Sequence, residues 1–155
     1  MIIIGYPGIG KTTLSIKNNR FIDLESSLFT VNGDKIDNWH LVYCNIAKDI
    51  SRQGNDVFVS SHEDVVKTLE LMKDVEGDAL DVIAILPEYN QDMMDKWIVK
   101  LKNRYEDTKL DKHKRAYDFV KSNYGPSILS ILKRNIPCVM VTSLDYDLEY
   151  IIKRI

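Results

Sequence analysis

Eight residues near the start of the chain, Gly5-Tyr6-Pro7-Gly8-Ile9-Gly10-Lys11-Thr12, satisfy every fixed position of the pattern G-x-x-x-x-G-K-[ST]. The apolar run Met1-Ile2-Ile3-Ile4 precedes them, and a helix-compatible stretch, Thr13 to Asn18, follows. In a strand–loop–helix unit, such glycines let successive backbone N–H groups converge on an anion, and the helix N-terminus adds partial positive charge. Lys11 then reaches the β- and γ-phosphates of a nucleoside triphosphate, and the Thr12 hydroxyl coordinates Mg2+. Residues Gly5 to Thr13 form the expected triphosphate-binding set, with ATP and Mg2+ as the implied ligands.

The chain has 155 residues, enough for one domain with a real core and too few for two. A hydrophobic content of 45% and a charged content of 28% are ordinary for a globular protein. The net charge of −2 argues against a protein that coats nucleic acid, while leaving room for a local basic patch. Cys44 and Cys138 lack metal-ligand spacing and read as two buried core thiols. No apolar run approaches a membrane span and no targeting segment is visible. The expected location is the cytoplasm (a host's, if the chain is phage-encoded), with no membrane partner and a monomer or homodimer as the working unit.

Short apolar runs predict strands near residues 1–5, 20–24, 56–60, 81–86 and 137–142, the last three apolar enough to be covered on both faces. Between them lie helical stripes: Trp39, Val42, Tyr43, Ile46 and Ile50; Val65, Leu69 and Met72; Met94, Trp97, Ile98 and Leu101. All three are read as core-facing. A further helix is expected from Asp111 to Asn123, breaking at Gly125-Pro126 and resuming from Ser127 to Arg134, with a short helix after Asp145. This alternation predicts a three-layer α/β/α sandwich in one domain, with right-handed crossovers and ligands at the carboxyl ends of the strands.

The residues that follow each strand are therefore the ones to examine. After the second strand, alternation puts Asp23 and Glu25 on one side of an extended segment beside the loop. One carboxylate can assist Mg2+, and the other can face an acceptor or take its proton. After the third strand, where an acidic Mg2+ ligand would otherwise be sought, the chain has Ser60-Ser61-His62; Ser61 with Asp64 reads as a helix N-cap. After the fourth come Lys100, Lys102 and Arg104 on a helix, a polar stretch from Tyr105 to Lys114, and Arg115-Ala116-Tyr117. This stretch, around 88–115, is a candidate lid whose Arg104 and Arg115 could close on transferring phosphates. A guanine-reading N-K-x-D element is missing, and Asp74-Val75-Glu76-Gly77 falls at the end of a predicted helix, which argues against a GTP-dependent switch.

A phosphate loop on the first strand, an acidic pair after the second and a basic lid after the fourth resemble the nucleoside- and nucleotide-kinase group of P-loop proteins. That group includes adenylate, deoxynucleoside monophosphate, shikimate and gluconate kinases. The chain looks most like small phage-encoded kinases related to deoxynucleoside monophosphate kinases, and its acidic element is similar to that of shikimate-kinase-like enzymes. The resemblance implies a P-loop NTPase fold with a five-stranded parallel sheet of order 2-3-1-4-5. It further implies Asp23 assisting Mg2+, Glu25 facing the acceptor, and Arg104 and Arg115 as lid arginines. Related enzymes place an arginine after the third strand, where this chain has Ser61-His62. The expected activity is transfer of the γ-phosphoryl group of ATP to a small nucleotide acceptor, a (deoxy)nucleoside monophosphate. A 5′-polynucleotide kinase and a catalytically silent ATP-binding interaction protein are the alternatives.

Overall fold

Ile2, Ile3 and Ile4 lie fully buried in β1 (Ile2–Gly5), which is the middle strand of a five-stranded parallel sheet. The computed structural model describes residues 1–155, the Asp78 side chain excepted. The other sheet strands are β2 (Phe21–Asp23), β5 (Asp56–Ser60), β6 (Val82–Pro87) and β7 (Cys138–Val141). Between β2 and β5 a separate hairpin is formed by β3 (Thr30–Val31) and β4 (Asp34–Lys35). Six helices complete the fold: α1 (Lys11–Lys17), α2 (Trp39–Arg52), α3 (Glu63–Glu76), α4 (Gln91–Thr108), α5 (Asp111–Leu132) and α6 (Leu148–Ile152). Helices cover both sides of the sheet; α1 packs with α6, and α2, α3, α5 and α4 pack in succession.

The strand order is β2-β5-β1-β6-β7, in place of the expected 2-3-1-4-5. The difference arises because the hairpin takes the third and fourth places along the chain. Its turn is Asn32-Gly33, with φ of 50° and 90°, the two-residue turn whose twist suits a hairpin and whose sequence signature is Asn-Gly. The hairpin is an element beyond the five strands that the apolar runs predict, because its strands are two residues each and largely exposed.

Registers align the carboxyl ends. Gly5 lies opposite Ser60 of β5 and Ile85 of β6, and Asp23 lies opposite Phe58. The loops leaving β1, β2 and β5 therefore open at the same edge.

Several sequence expectations are corrected by packing. The α5 helix runs unbroken through Gly125 and Pro126. Val120, Tyr124, Ile128 and Ile131 form one buried stripe across the proline, while Pro126 itself faces solvent. The carbonyl of Ser122 that loses its N–H partner is thus on the wet side, where water can satisfy it. In α2 the buried positions are Trp39, Tyr43, Cys44 and Ala47; Val42 is 50% exposed and Ile46 is also exposed. The helical period holds, and the buried face is narrower than the apolar stripe because Val42 and Ile46 turn to solvent. Edge strand β7 is only partly covered, and Cys138 on it is half-buried, whereas Cys44 is fully buried. Among the described residues no helix is long and apolar enough to cross a membrane.

Candidate functional site

The loop between β1 and α1 is shaped by two glycines that other side chains approach closely. Gly8 has φ of 87°, and a Cβ there would sit 2.6 Å from Leu101 Cδ2. A Cβ on Gly5 would sit 2.6 Å from Lys11 Cδ, because Lys11 folds back to donate its Nζ to the Gly5 carbonyl at 2.7 Å. Gly10, also left-handed, begins α1 with no side-chain cap. Ile9 N donates to the Tyr6 carbonyl and Tyr6 N to Ile85, so those amides are occupied. Among the described residues the amides of Gly8, Gly10, Lys11, Thr12 and Thr13 donate to no acceptor within the chain. Alternating left-handed residues with free N–H groups make an anion-binding concavity.

Of the sequence-nominated loop residues, Tyr6 plays a different part. Its ring is fully buried in edge contact with Trp97 and Tyr124, and its hydroxyl shares a 2.9 Å hydrogen bond with Ser127 Oγ. It anchors the loop from beneath and offers it neither side chain nor free amide. Pro7 is pinned likewise, its carbonyl accepting from Trp97 Nε1 at 2.8 Å.

Trp97, Leu101 and Arg104 recur at helical spacing along α4, so one face of that helix lies across the loop: Trp97 on Pro7, Leu101 on Gly8, Arg104 toward Lys11. Burial pushes the Lys11 ammonium down to about 8; Asp23 pulls the other way and Arg104 adds to the depression. Lys100 and Arg104 are also lowered, chiefly by burial, with Arg104 adding to the effect on Lys100. His113 at the start of α5 is lowered by burial and by the Arg104 and Lys112 charges. Arg104 Nε is buried without a hydrogen-bond partner. Arg134 Nε shares that condition, but the other guanidinium nitrogens of Arg134 reach Glu63 and Glu70. Arg104 has no carboxylate partner among the described residues. A cationic cluster with an orphaned donor is set around free amides, which is the electrostatic complement of a polyphosphate.

Asp23 stands on the other side. Its Oδ2 accepts from Thr12 Oγ1 at 2.6 Å, joining the end of β2 to the first turn of α1. A hydroxyl and a carboxylate are hard oxygen donors of the kind Mg2+ takes, and Mg2+ fills its remaining positions with water and phosphate oxygens. Among the described residues no three His, Cys, Asp or Glu side chains cluster as a metal cage, and such a partly hydrated ion needs none.

Glu25, two residues on, accepts from Ser27 Oγ at 3.1 Å and pairs with Lys112 Nζ at 3.4 Å. The pairing lays the beginning of α5 over the end of β2. The polar stretch from Tyr105 to Lys114 is helical on both sides of a two-residue turn, Lys109-Leu110. Arg115, in this first part of α5, lies one turn beyond Lys112, and its charge lowers the affinity of Lys35 on the hairpin for a proton. At the end of β5 the cap of α3 is His62, whose Nδ1 accepts from Asp64 N at 3.3 Å, and not Ser61. Tyr43 ties this edge together, accepting from Ser60 N at 2.9 Å and donating to the Leu24 carbonyl at 2.6 Å.

Lys35 and the anchoring of the loop by Trp97 are absent from the sequence expectations, and Lys100 is among them only as one cation of the candidate lid. Lys100 and Trp97 were readable only as helix-face residues until α4 was seen to cross the loop.

Beside Lys100, a recess of about 480 Å3 is lined by Asp95, Lys96, Val99, Asn103 and Leu144. Another, of about 440 Å3, opens at the amino ends of the strands among Met1, Arg20, Asp56 and Asp81, away from the loop. In open parallel sheets ligands gather at the carboxyl ends, which favours the first. No protein-family model matches the chain, and no curated protein matches it in sequence.

Proposed function

We propose that this chain, as a P-loop kinase, transfers the γ-phosphoryl group of ATP to a small nucleotide acceptor, a (deoxy)nucleoside monophosphate. The observation that carries this reading is the convergence of Lys11, Arg104 and the Thr12–Asp23 pair on the free amides of one loop. Positioning and charge neutralisation are the main needs of phosphoryl transfer, because the reacting group carries its own charge and little covalent chemistry is asked of the protein.

In this scheme the loop amides and Lys11 hold the β- and γ-phosphates. Arg104 meets charge that builds on the γ-phosphoryl oxygens as the bond to the β-phosphate breaks and the bond to the acceptor oxygen forms. Thr12 and Asp23 would hold Mg2+, which supplies further neutralisation of the phosphates. Glu25 lines the acceptor side. The recess beside Lys100 has the size of a ligand pocket and adjoins the phosphate cluster, which suits the nucleoside of the donor.

The test pairs binding with transfer. Lys11→Ala should abolish calorimetric ATP·Mg2+ binding and reduce transfer from labelled ATP to a panel of ribo- and deoxyribonucleoside monophosphates by about a hundredfold or more. Undiminished transfer in that variant overturns the reading. Transfer to an oligonucleotide 5′-hydroxyl alone would favour a polynucleotide kinase. ATP·Mg2+ binding with no transfer to any acceptor would favour a binding protein.

A further inference from the structure

Tyr6 is fully buried, and a phenol hydroxyl with no route to water needs a partner inside the protein. That partner is Ser127, 121 residues further along the chain, at 2.9 Å. The Ser127 hydroxyl has one proton and gives it to the Tyr124 carbonyl at 3.1 Å. Both bonds coexist in one arrangement only: Tyr6 donates to Ser127 Oγ, and Ser127 donates onward to Tyr124. Tyr124 is itself fixed, its hydroxyl donating to the Glu88 carbonyl at 2.7 Å and its ring lying in the buried stripe of α5. Gly125 lets α5 come this close to the segment after β6, since a Cβ there would sit 3.2 Å from the Tyr89 ring. Ser127 therefore stands on a firmly tied part of the molecule.

We propose that Ser127 is a positioning residue for the loop between β1 and α1, acting through the Tyr6 hydroxyl to hold the free amides in place for a triphosphate. The inference rests on the reading of that loop as a triphosphate site. Tyr6 occupies one of the variable places of the glycine pattern, so its role comes from this chain's own packing. Its amide donates to Ile85 and its carbonyl accepts from Ile9 N, so any movement of Tyr6 moves the backbone that carries Gly8 and Gly10. From the other side, Trp97 of α4 holds the Pro7 carbonyl. Loss of the Ser127 hydroxyl strands the Tyr6 O–H in a dry site, which is costly. The anchored part of α5 does not follow it, so relief comes from the loop, whose helix end has no side-chain cap. The empty loop then rests in a shifted conformation, and a triphosphate binds only the fraction that returns.

The experiment compares the full chain with Ser127→Ala, Tyr6→Phe and the double variant, by amide chemical shifts of Gly8 to Thr13 and by calorimetric ATP·Mg2+ affinity. Ser127→Ala should move the loop amides and weaken ATP·Mg2+ about tenfold, the scale set by one stranded buried donor. Tyr6→Phe keeps the ring against Trp97 and Tyr124 and strands nothing, because Ser127 still donates to Tyr124. Its loss should be about threefold or less. Adding Tyr6→Phe to Ser127→Ala should return both shifts and affinity to those of Tyr6→Phe alone, a rescue that simple core packing does not give. Loop amides unmoved in Ser127→Ala, or a measurable affinity equal in all four proteins, overturns the inference. A double variant as weak as Ser127→Ala also overturns it, since the loss then comes from the cavity and not from the stranded hydroxyl. Loop amides that shift and return while none of the proteins binds ATP·Mg2+ uphold the positioning of the loop and overturn the triphosphate reading.

Discussion

Lys11 is the residue on which opposing effects are most closely balanced. Its ammonium is buried, with Asp23 opposing and Arg104 adding to the effect of burial, and burial outweighs the Asp23 attraction. A lysine lowered from 10.5 to about 8 costs the empty fold stability below pH 8, and that cost is relieved as pH rises from 8 to 10.5. A bound polyphosphate reverses the balance and raises the value again. Binding at pH 8 should therefore take up about half a proton per site, and affinity should fall as pH climbs above 8. Calorimetry in buffers of differing ionisation enthalpy reads this directly, and the Lys11 component of the uptake, present at pH 8, should vanish at pH 6.5. Binding at pH 8 without proton uptake would remove Lys11 from the proposed phosphate site. Gly5, Gly8, Lys11 and Thr12 could be nominated from the sequence because a nest needs particular residues at particular spacings. The orphaned Nε of Arg104 was not, since an unpaired donor exists only relative to its neighbours.

At the level of elements, α4 is the roof of the loop. Trp97 Nε1 bonding to the Pro7 carbonyl, Leu101 against Gly8 and Tyr6 against Trp97 make the loop and the helix one packed unit. Trp97→Phe preserves most of the apolar contact but leaves the Pro7 carbonyl unpaired, at a cost of about 1–3 kcal/mol. Thermal or urea unfolding should show that loss, and the apparent affinity for ATP should fall with it because the loop loses its tether. An unchanged ATP affinity beside reduced stability would make Trp97 a core residue only, as its stripe alone suggested. Helix α5 teaches the complementary lesson. Its proline signalled a break, yet the apolar stripe through Val120, Tyr124, Ile128 and Ile131 was the stronger signal, because burial of that face outweighs one solvent-facing hydrogen bond. The hairpin carrying Lys35 had a clear local mark in Asn32-Gly33; its meaning came from where the hairpin lies.

Across the whole molecule, the sheet and its helices bury several groups that must stay neutral. Burial pushes the Tyr6 hydroxyl and the Cys44 thiol each up to about 12, and raises Tyr43 and Tyr124 as well. In each case the fold keeps a proton that the unfolded chain releases earlier, so stability is complete below the ordinary value and is lost as pH rises toward the folded one. Between pH 9 and 10 the Cys44 loss opposes the Lys11 gain, and stability should stay nearly level. Above pH 10 the three tyrosines act together, and the urea midpoint should drop steeply. A midpoint rising from pH 10 to 11 would contradict this burial pattern.

Strand positions, the glycine-rich loop and the nomination of Asp23 and Glu25 depended on local pattern, and local pattern is what a sequence encodes without tertiary information. Short apolar runs bounded by turn residues mark strands, and the glycine pattern marks the turn from a strand into a helix. Long-range facts were decided by the folded chain. The pairing of Thr12 with Asp23, the crossing of α4 over the loop, and the pairing of Glu25 with Lys112 each join segments whose separation in sequence carries no mark of their contact. Parallel registers bring the carboxyl ends of β1, β2 and β5 to one edge, and only there do these isolated charges become a site.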